Sequence, residues 1–234
     1  MIAGLQKMTL LDFPGKVACT VFLAGCNYRC PFCHNAELLG RPAEPIMELS
    51  AFVRFLESRR GLLDGVCVSG GEPTLCPELE SLLRSIKALG YAVKLDTNGS
   101  RPAVLKRLVG EGLVDYVAMD VKNCPARYAE TVGLEKADLQ AVEESLRFLL
   151  SGQVAYELRT TLVQQLHSAA ATEEMGKWVA GLVPGEKPRK WFLQRFTDRS
   201  TVAFAGLSAP AEEELLSWRE LLSAYTEQAA IRGE

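Results

Sequence analysis

The chain has no strong excess of charge of either sign, and no apolar stretch nears the roughly 18 residues that a membrane-spanning helix needs. With 26 basic and 29 acidic side chains, its formal net charge of -3 argues against a generic nucleic-acid or membrane-surface binder. The opening from Met1 to Gly15 lacks the basic start and apolar run of an export signal. Seven cysteines without such a signal point to reduced thiols in a cytoplasmic protein, not to a disulfide framework. Internal repeats, low-complexity tracts and convincing linkers are also missing. The 234 residues therefore read as one domain, 1–234, with a composition ordinary for an α/β protein.

What is present alternates. Lys16 to Gly25, Gly65 to Gly71, Tyr91 to Gly99, Val114 to Lys122, Val154 to Val163 and Trp191 to Phe196 read as six strands. Between them, apolar residues recur at helical spacing, as in Leu79, Leu82, Leu83, Ile86 and Leu89, which Gly90 terminates. Leu215, Trp218, Leu222 and Tyr225 mark a C-terminal helix over about 209–231. Strands and helices in this order predict an α/β fold with a parallel sheet and right-handed crossovers.

Three cysteines, Cys26, Cys30 and Cys33, stand in the segment CNYRCPFCHN with the spacing C-x3-C-x2-C. A structural zinc site normally closes with four ligands, and a ferredoxin-type cluster is usually held by four thiolates. Three thiolates on a four-iron cube leave one iron open. A zinc knuckle completed by His34 or Cys67 is the alternative on these residues alone. Cys19 and Cys67 lie inside apolar strands and read as small core residues. Cys76 and Cys124 lie in loops, and Glu37 to Ser50 contains no cysteine, so no second cluster assembles. With the aromatic Phe32 before the third cysteine, the motif resembles the radical S-adenosylmethionine (SAM) superfamily. There the open iron chelates the amino and carboxylate groups of SAM.

Other polar residues sit where strands end, the active face of parallel α/β barrels. Gly70 and Gly71 permit close backbone approach, and with Glu72 and Pro73 they resemble the superfamily's site for the methionine amino group. Glu72 is expected to hold this loop or meet the ammonium. Asp96 and Asp120 end neighbouring strands, and Lys122, two residues beyond Asp120, should share its face. These three are expected to bind SAM, a buried structural ion pair being the alternative. His167 is expected either at the SAM ribose or on an exposed loop. His34 is expected beside the cluster, touching SAM or supporting its ligands.

The order GLQKMTLLDFPGK, CNYRCPFCHN, SGGEPTL, LDTNG, MDVK, ELRTTLV and WFLQRF, from Gly4 to Phe196, resembles the glycyl-radical-enzyme activases. It is most similar to the group that activates anaerobic ribonucleoside-triphosphate reductases. The resemblance implies a partial (β/α)6 TIM-like barrel of the radical SAM type and an oxidoreductase with one [4Fe-4S] cluster. The reduced cluster would cleave SAM to a 5′-deoxyadenosyl radical, which takes a Cα hydrogen from a glycine of a partner enzyme. It also implies a class III ribonucleotide reductase as partner and flavodoxin or ferredoxin as electron donor. By the same resemblance, Asp96, Thr97 and Asp120 would hold a monovalent cation. A pyruvate formate-lyase type activase, a small-molecule radical SAM enzyme and a cysteine-rich metal sensor are the alternatives.

Overall fold

The computed structural model describes residues 1–40, 45–202 and 204–232. All six expected strands form, as β2 (Ala18–Leu23), β3 (Gly65–Gly70), β4 (Ala92–Thr97), β5 (Tyr116–Asp120), β6 (Ala155–Leu162) and β7 (Trp191–Arg195). Two more were not expected: β1 (Ile2–Thr9) and β8 (Ala229–Arg232). The helices are α1 (Leu49–Glu57), α2 (Leu79–Ala88), α3 (Pro102–Gly110), α4 (Pro125–Thr131), α5 (Leu139–Leu150), α6 (Ala169–Ala180) and α7 (Glu212–Ser223). Among the described residues, no helix is long and apolar enough to cross a membrane.

The residues group into two compact units. One comprises Met1–Asn27, Glu37–Thr97 and Ala103–Ala118. Here β1 pairs antiparallel with β2, and β2, β3 and β4 run parallel. The central strands are apolar on the face turned toward the helices, where Val66, Val68, Val93 and Leu95 are fully buried. Alternation then sends Cys67, Ser69, Lys94 and Asp96 to the opposite face, and the register sets Cys67 beside Lys94. Gly90, with φ +86°, ends α2 and turns the chain into β4, as its position after the last apolar repeat predicts.

The other unit comprises Tyr28–Ala36, Asn98–Pro102 and Met119–Glu234. In it β6, β7 and β8 run parallel. The expected C-terminal helix is shorter than predicted: α7 stops at Ser223. Beyond it the Glu227 N–H donates to the Pro188 carbonyl and the Trp191 N–H to that of Gln228, which lays β8 alongside β7. Arg232 locks the strand by a two-bond ion pair (2.8 and 2.9 Å) to Glu157 of β6, whose side chain is fully buried. Pairing with a neighbouring strand therefore overrides the helical spacing of the tail.

Candidate active site

In the first unit, β2 delivers the chain to Cys26 and β3 delivers it to Gly70 and Gly71. The Gly71 N–H donates to Leu23 and the Glu72 N–H to Gly25, both at 2.8 Å. A Cβ on Gly70 would lie 2.2 Å from the Leu23 carbonyl, and one on Gly71 would lie 2.3 Å from that of Gly25. The close approach these glycines permit is thus to the chain that leads into the first cysteine. Glu72 is buried, and its Oε1 accepts from the Thr74 N–H (3.1 Å), the Thr74 hydroxyl (2.5 Å) and the Thr97 hydroxyl (2.8 Å). Its carboxylate holds the loop and ties it to the end of β4.

Asp96 has a partner that sequence reasoning missed. The ammonium of Lys94, a side chain only 1% exposed, lies 2.5 Å from Asp96 Oδ1. The Ser69 hydroxyl donates to Oδ2 at 3.1 Å, and the Cys67 thiol lies 3.7 Å from Oδ1. The buried ion pair weighed as an alternative for these carboxylates is therefore present at Asp96. Lys94 could have been found by parity alone, since it precedes Asp96 by two residues on a strand.

In the second unit, the segment bearing Cys30 and Cys33 is braced from α4. The Arg29 N–H donates to the Val132 carbonyl at 2.8 Å, and Gly133, with φ +68°, packs on the Arg29 backbone. Phe32 is buried with Val163, Leu166 and Phe196, and Cys30 packs against this group. The Lys122 ammonium stands 6.0 Å from the centre of the Phe32 ring and 2.9 Å from Asp120 Oδ2. Arg159, also missed from sequence, donates to Asp120 Oδ1 at 2.9 Å. Burial by itself would lower the Lys122 pKa. The negative charge of Asp120, helped by the nearby Cys30 and Cys33 side chains, outweighs it and holds the ammonium well above its ordinary range.

Both histidines are occupied. His34 stacks on Phe196 (5.6 Å between ring centres) and its Nε2 meets the Thr197 carbonyl at 2.7 Å. The exposed-loop expectation for His167 is corrected, because the residue is buried. Its Nδ1 accepts from the Val163 N–H (3.1 Å) and its Nε2–H donates to the Lys122 carbonyl (2.9 Å), while burial lowers its pKa. A neutral ring in this tautomer steadies the backbone of Lys122. The two ends of β6 and β5 could not be paired from sequence, so this brace was not foreseen.

All seven cysteines are free thiols; Cys26, Cys30 and Cys33 are partly exposed, and the other four are buried. Burial pushes the Cys19 thiol up to about 12, in keeping with a core role. Among the described residues, no three His, Cys, Asp or Glu side chains gather closely enough to enclose a single metal ion. His34 Nε2 is engaged at the Thr197 carbonyl, and Cys67 is buried beside Lys94. Three partly exposed thiols within eight residues of sequence have the donor chemistry that an iron–sulfur cluster takes.

The family profile of the Radical SAM superfamily matches residues 20–157, more than half of the chain. The chain belongs to the radical SAM superfamily. It is an enzyme of the radical SAM type, and family membership implies a [4Fe-4S] cluster and SAM. This radical SAM chain is 29% identical, over 99% of its length and 95% of the relative's, to a Methanocaldococcus jannaschii protein provisionally named a glycyl-radical enzyme activating enzyme. It is 30% identical, over 52% of each chain, to the pyruvate formate-lyase-activating enzyme of Clostridium pasteurianum. Its fold matches a domain of pyruvate-formate lyase-activating enzyme from Bacteroides vulgatus at a TM-score of 0.57 and 20% identity, covering 72% of this chain and 99% of that one. The fold is α/β with a mostly parallel sheet, in keeping with the expected partial barrel.

Proposed function

We propose that this radical SAM enzyme is a glycyl-radical-enzyme activase whose client is a class III ribonucleotide reductase. The observation that carries the reading is the cysteine segment itself: three partly exposed thiols at the spacing C-x3-C-x2-C. The near full-length similarity to the M. jannaschii protein supports the activase class, and the order of motifs from Gly4 to Phe196 supports the client. When bound, the cluster and SAM supply a one-electron cleavage that yields a hydrogen-abstracting radical.

The protein's own residues hold and orient. Cys26, Cys30 and Cys33 would anchor the cluster. We assign the SAM carboxylate to Lys122, because a paired, half-buried ammonium is a fixed positive charge already aimed by Asp120 and His167. The methionine ammonium is assigned to the backbone of Gly70, Gly71 and Glu72, since the Glu72 carboxylate is committed to Thr74 and Thr97. Asp96 and Asp120 remain the candidates for the polar groups of SAM. The monovalent cation expected at Asp96, Thr97 and Asp120 is left out of this reading, because both carboxylates already face cationic side chains of their own. Flavodoxin or ferredoxin as electron donor and a cytoplasmic location complete the reading.

Electron paramagnetic resonance tests it. The reduced protein, mixed anaerobically with SAM and the class III reductase of the same organism, should generate a glycyl-radical doublet on the reductase. The doublet should vanish when the client's radical glycine is replaced by alanine. Activation of a different glycyl-radical enzyme would keep the chemistry and overturn the client. Conversion of a small molecule with no protein radical would overturn the activase reading.

A further inference from the structure

An ammonium buried inside an apolar strand is tolerated only when it is paired, because desolvation strongly disfavours the charged form. Lys94 meets that condition through Asp96 alone among carboxylates in the bonds described for it: 2.5 Å to Oδ1, with the Cys67 sulfur 3.8 Å away. The Ser69 hydroxyl fixes the other oxygen of Asp96. Lys94 is 1% exposed while Asp96 is 13% exposed, so the pair presents its carboxylate outward and keeps its cation inside. From these facts we infer that Lys94 is the built-in counter-cation of Asp96, taking the place of an external monovalent ion on that carboxylate.

The neighbouring chemistry agrees. Asp120 likewise has Lys122 and Arg159 for its own charge. Both carboxylates expected to ligate a monovalent ion are thereby matched to side-chain cations. The functional consequence is a SAM site whose Asp96 stays neutralised and oriented whatever the sodium or potassium concentration. That consequence rests on the assignment of Asp96 to SAM; the ion replacement itself does not.

The test is Lys94→Met, which keeps the length of the side chain and removes its charge. Thermal unfolding of the cluster-free protein is compared in sodium, potassium and tetramethylammonium chlorides at equal ionic strength. The wild-type midpoint should be the same in all three. The variant should lose on the order of 10 °C in tetramethylammonium, as expected when a largely buried carboxylate loses its Lys94 cation, and regain much of it in sodium or potassium. With the cluster reconstituted, SAM affinity should be salt-independent in the wild type and should tighten about ten-fold with sodium or potassium in the variant. A wild type that needs either ion, or a variant indifferent to all three salts, would overturn the inference. If Lys94→Met does not fold in any salt, the double variant Lys94→Met/Asp96→Asn decides. A folded, salt-indifferent double variant supports charge neutralisation, whereas an unfolded one assigns Lys94 to packing and overturns it. Rescue of stability without rescue of SAM affinity would support the ion replacement and remove Asp96 from the SAM site.

Discussion

Gly133 and Arg29 are in backbone contact: a Cβ on Gly133 would fall 2.2 Å from the Arg29 carbonyl oxygen. The contact fixes the residue next to Cys30 from the end of α4, so a helix outside the cysteine motif helps to shape it. Gly133→Ala must therefore relieve a backbone clash as well as a φ of +68°. A loss of about 1–3 kcal/mol in stability is expected, with lower iron retention after anaerobic reconstitution. Gly15→Ala, at φ +71° with open space around it, should cost only the conformational penalty of about 1–2 kcal/mol and leave iron content unchanged. Chemical denaturation and iron analysis of both variants make the comparison.

Asp120 holds two cations at once, Lys122 and Arg159, each at 2.9 Å. Asp120→Asn should weaken SAM binding by tens- to thousands-fold, the range that corresponds to about 2–5 kcal/mol for removing one partner of a hydrogen-bonded charge pair. Iron content should stay near wild type, since Asp120 is no cluster ligand. Calorimetric SAM binding to the reconstituted variant checks this, and an unchanged affinity would assign this strand end to structure alone.

Arg232 is the anchor of β8, and its partner Glu157 has no exposed side-chain surface. Arg232→Ala should lower stability by about 3–5 kcal/mol, because it takes this cation away from a buried carboxylate. Urea unfolding should show the shift, and Glu157→Gln in the same background should recover part of it.

Burial holds the His167 pKa below its ordinary value of 6.5. The unfolded chain therefore binds a proton that the folded chain refuses, and this residue's contribution, full above pH 6.5, is lost as the pH falls beneath it. Unfolding free energy of the cluster-free protein should decline from pH 7.5 to 5.5, with a shallower decline in His167→Gln. Equal slopes in the two proteins would remove His167 as the source.

How much of this was legible depended on where each partner lay in the chain. Strands β2 to β7 announced themselves because β-branched and aromatic residues cluster between turn signals. The partly exposed β1 and the four-residue β8, half-buried throughout, carry no such pattern and exist through pairing with β2 and β7. The cysteine motif stood out by its spacing, which left a zinc knuckle open until the resemblance to radical SAM proteins was drawn. Lys94 was within reach, two positions from Asp96 on one strand face. Arg159 was not, because its partner Asp120 lies 39 residues away and only the fold brings them together. For the same reason the sequence offered a ribose or an exposed loop for His167, where the structure has a buried brace on Lys122.

The central claim is that Cys26, Cys30 and Cys33, and no other cysteines, hold the cluster that opens SAM. The direct measurement is reductive SAM cleavage by reconstituted Cys30→Ala beside Cys19→Ala, with iron and sulfide determined on the same samples. Cys30→Ala should lose cleavage and the reduced [4Fe-4S] signal while remaining folded. Cys19→Ala, whose thiol is buried and pushed up to about 12, should keep both. Full SAM cleavage by folded Cys30→Ala would contradict the account.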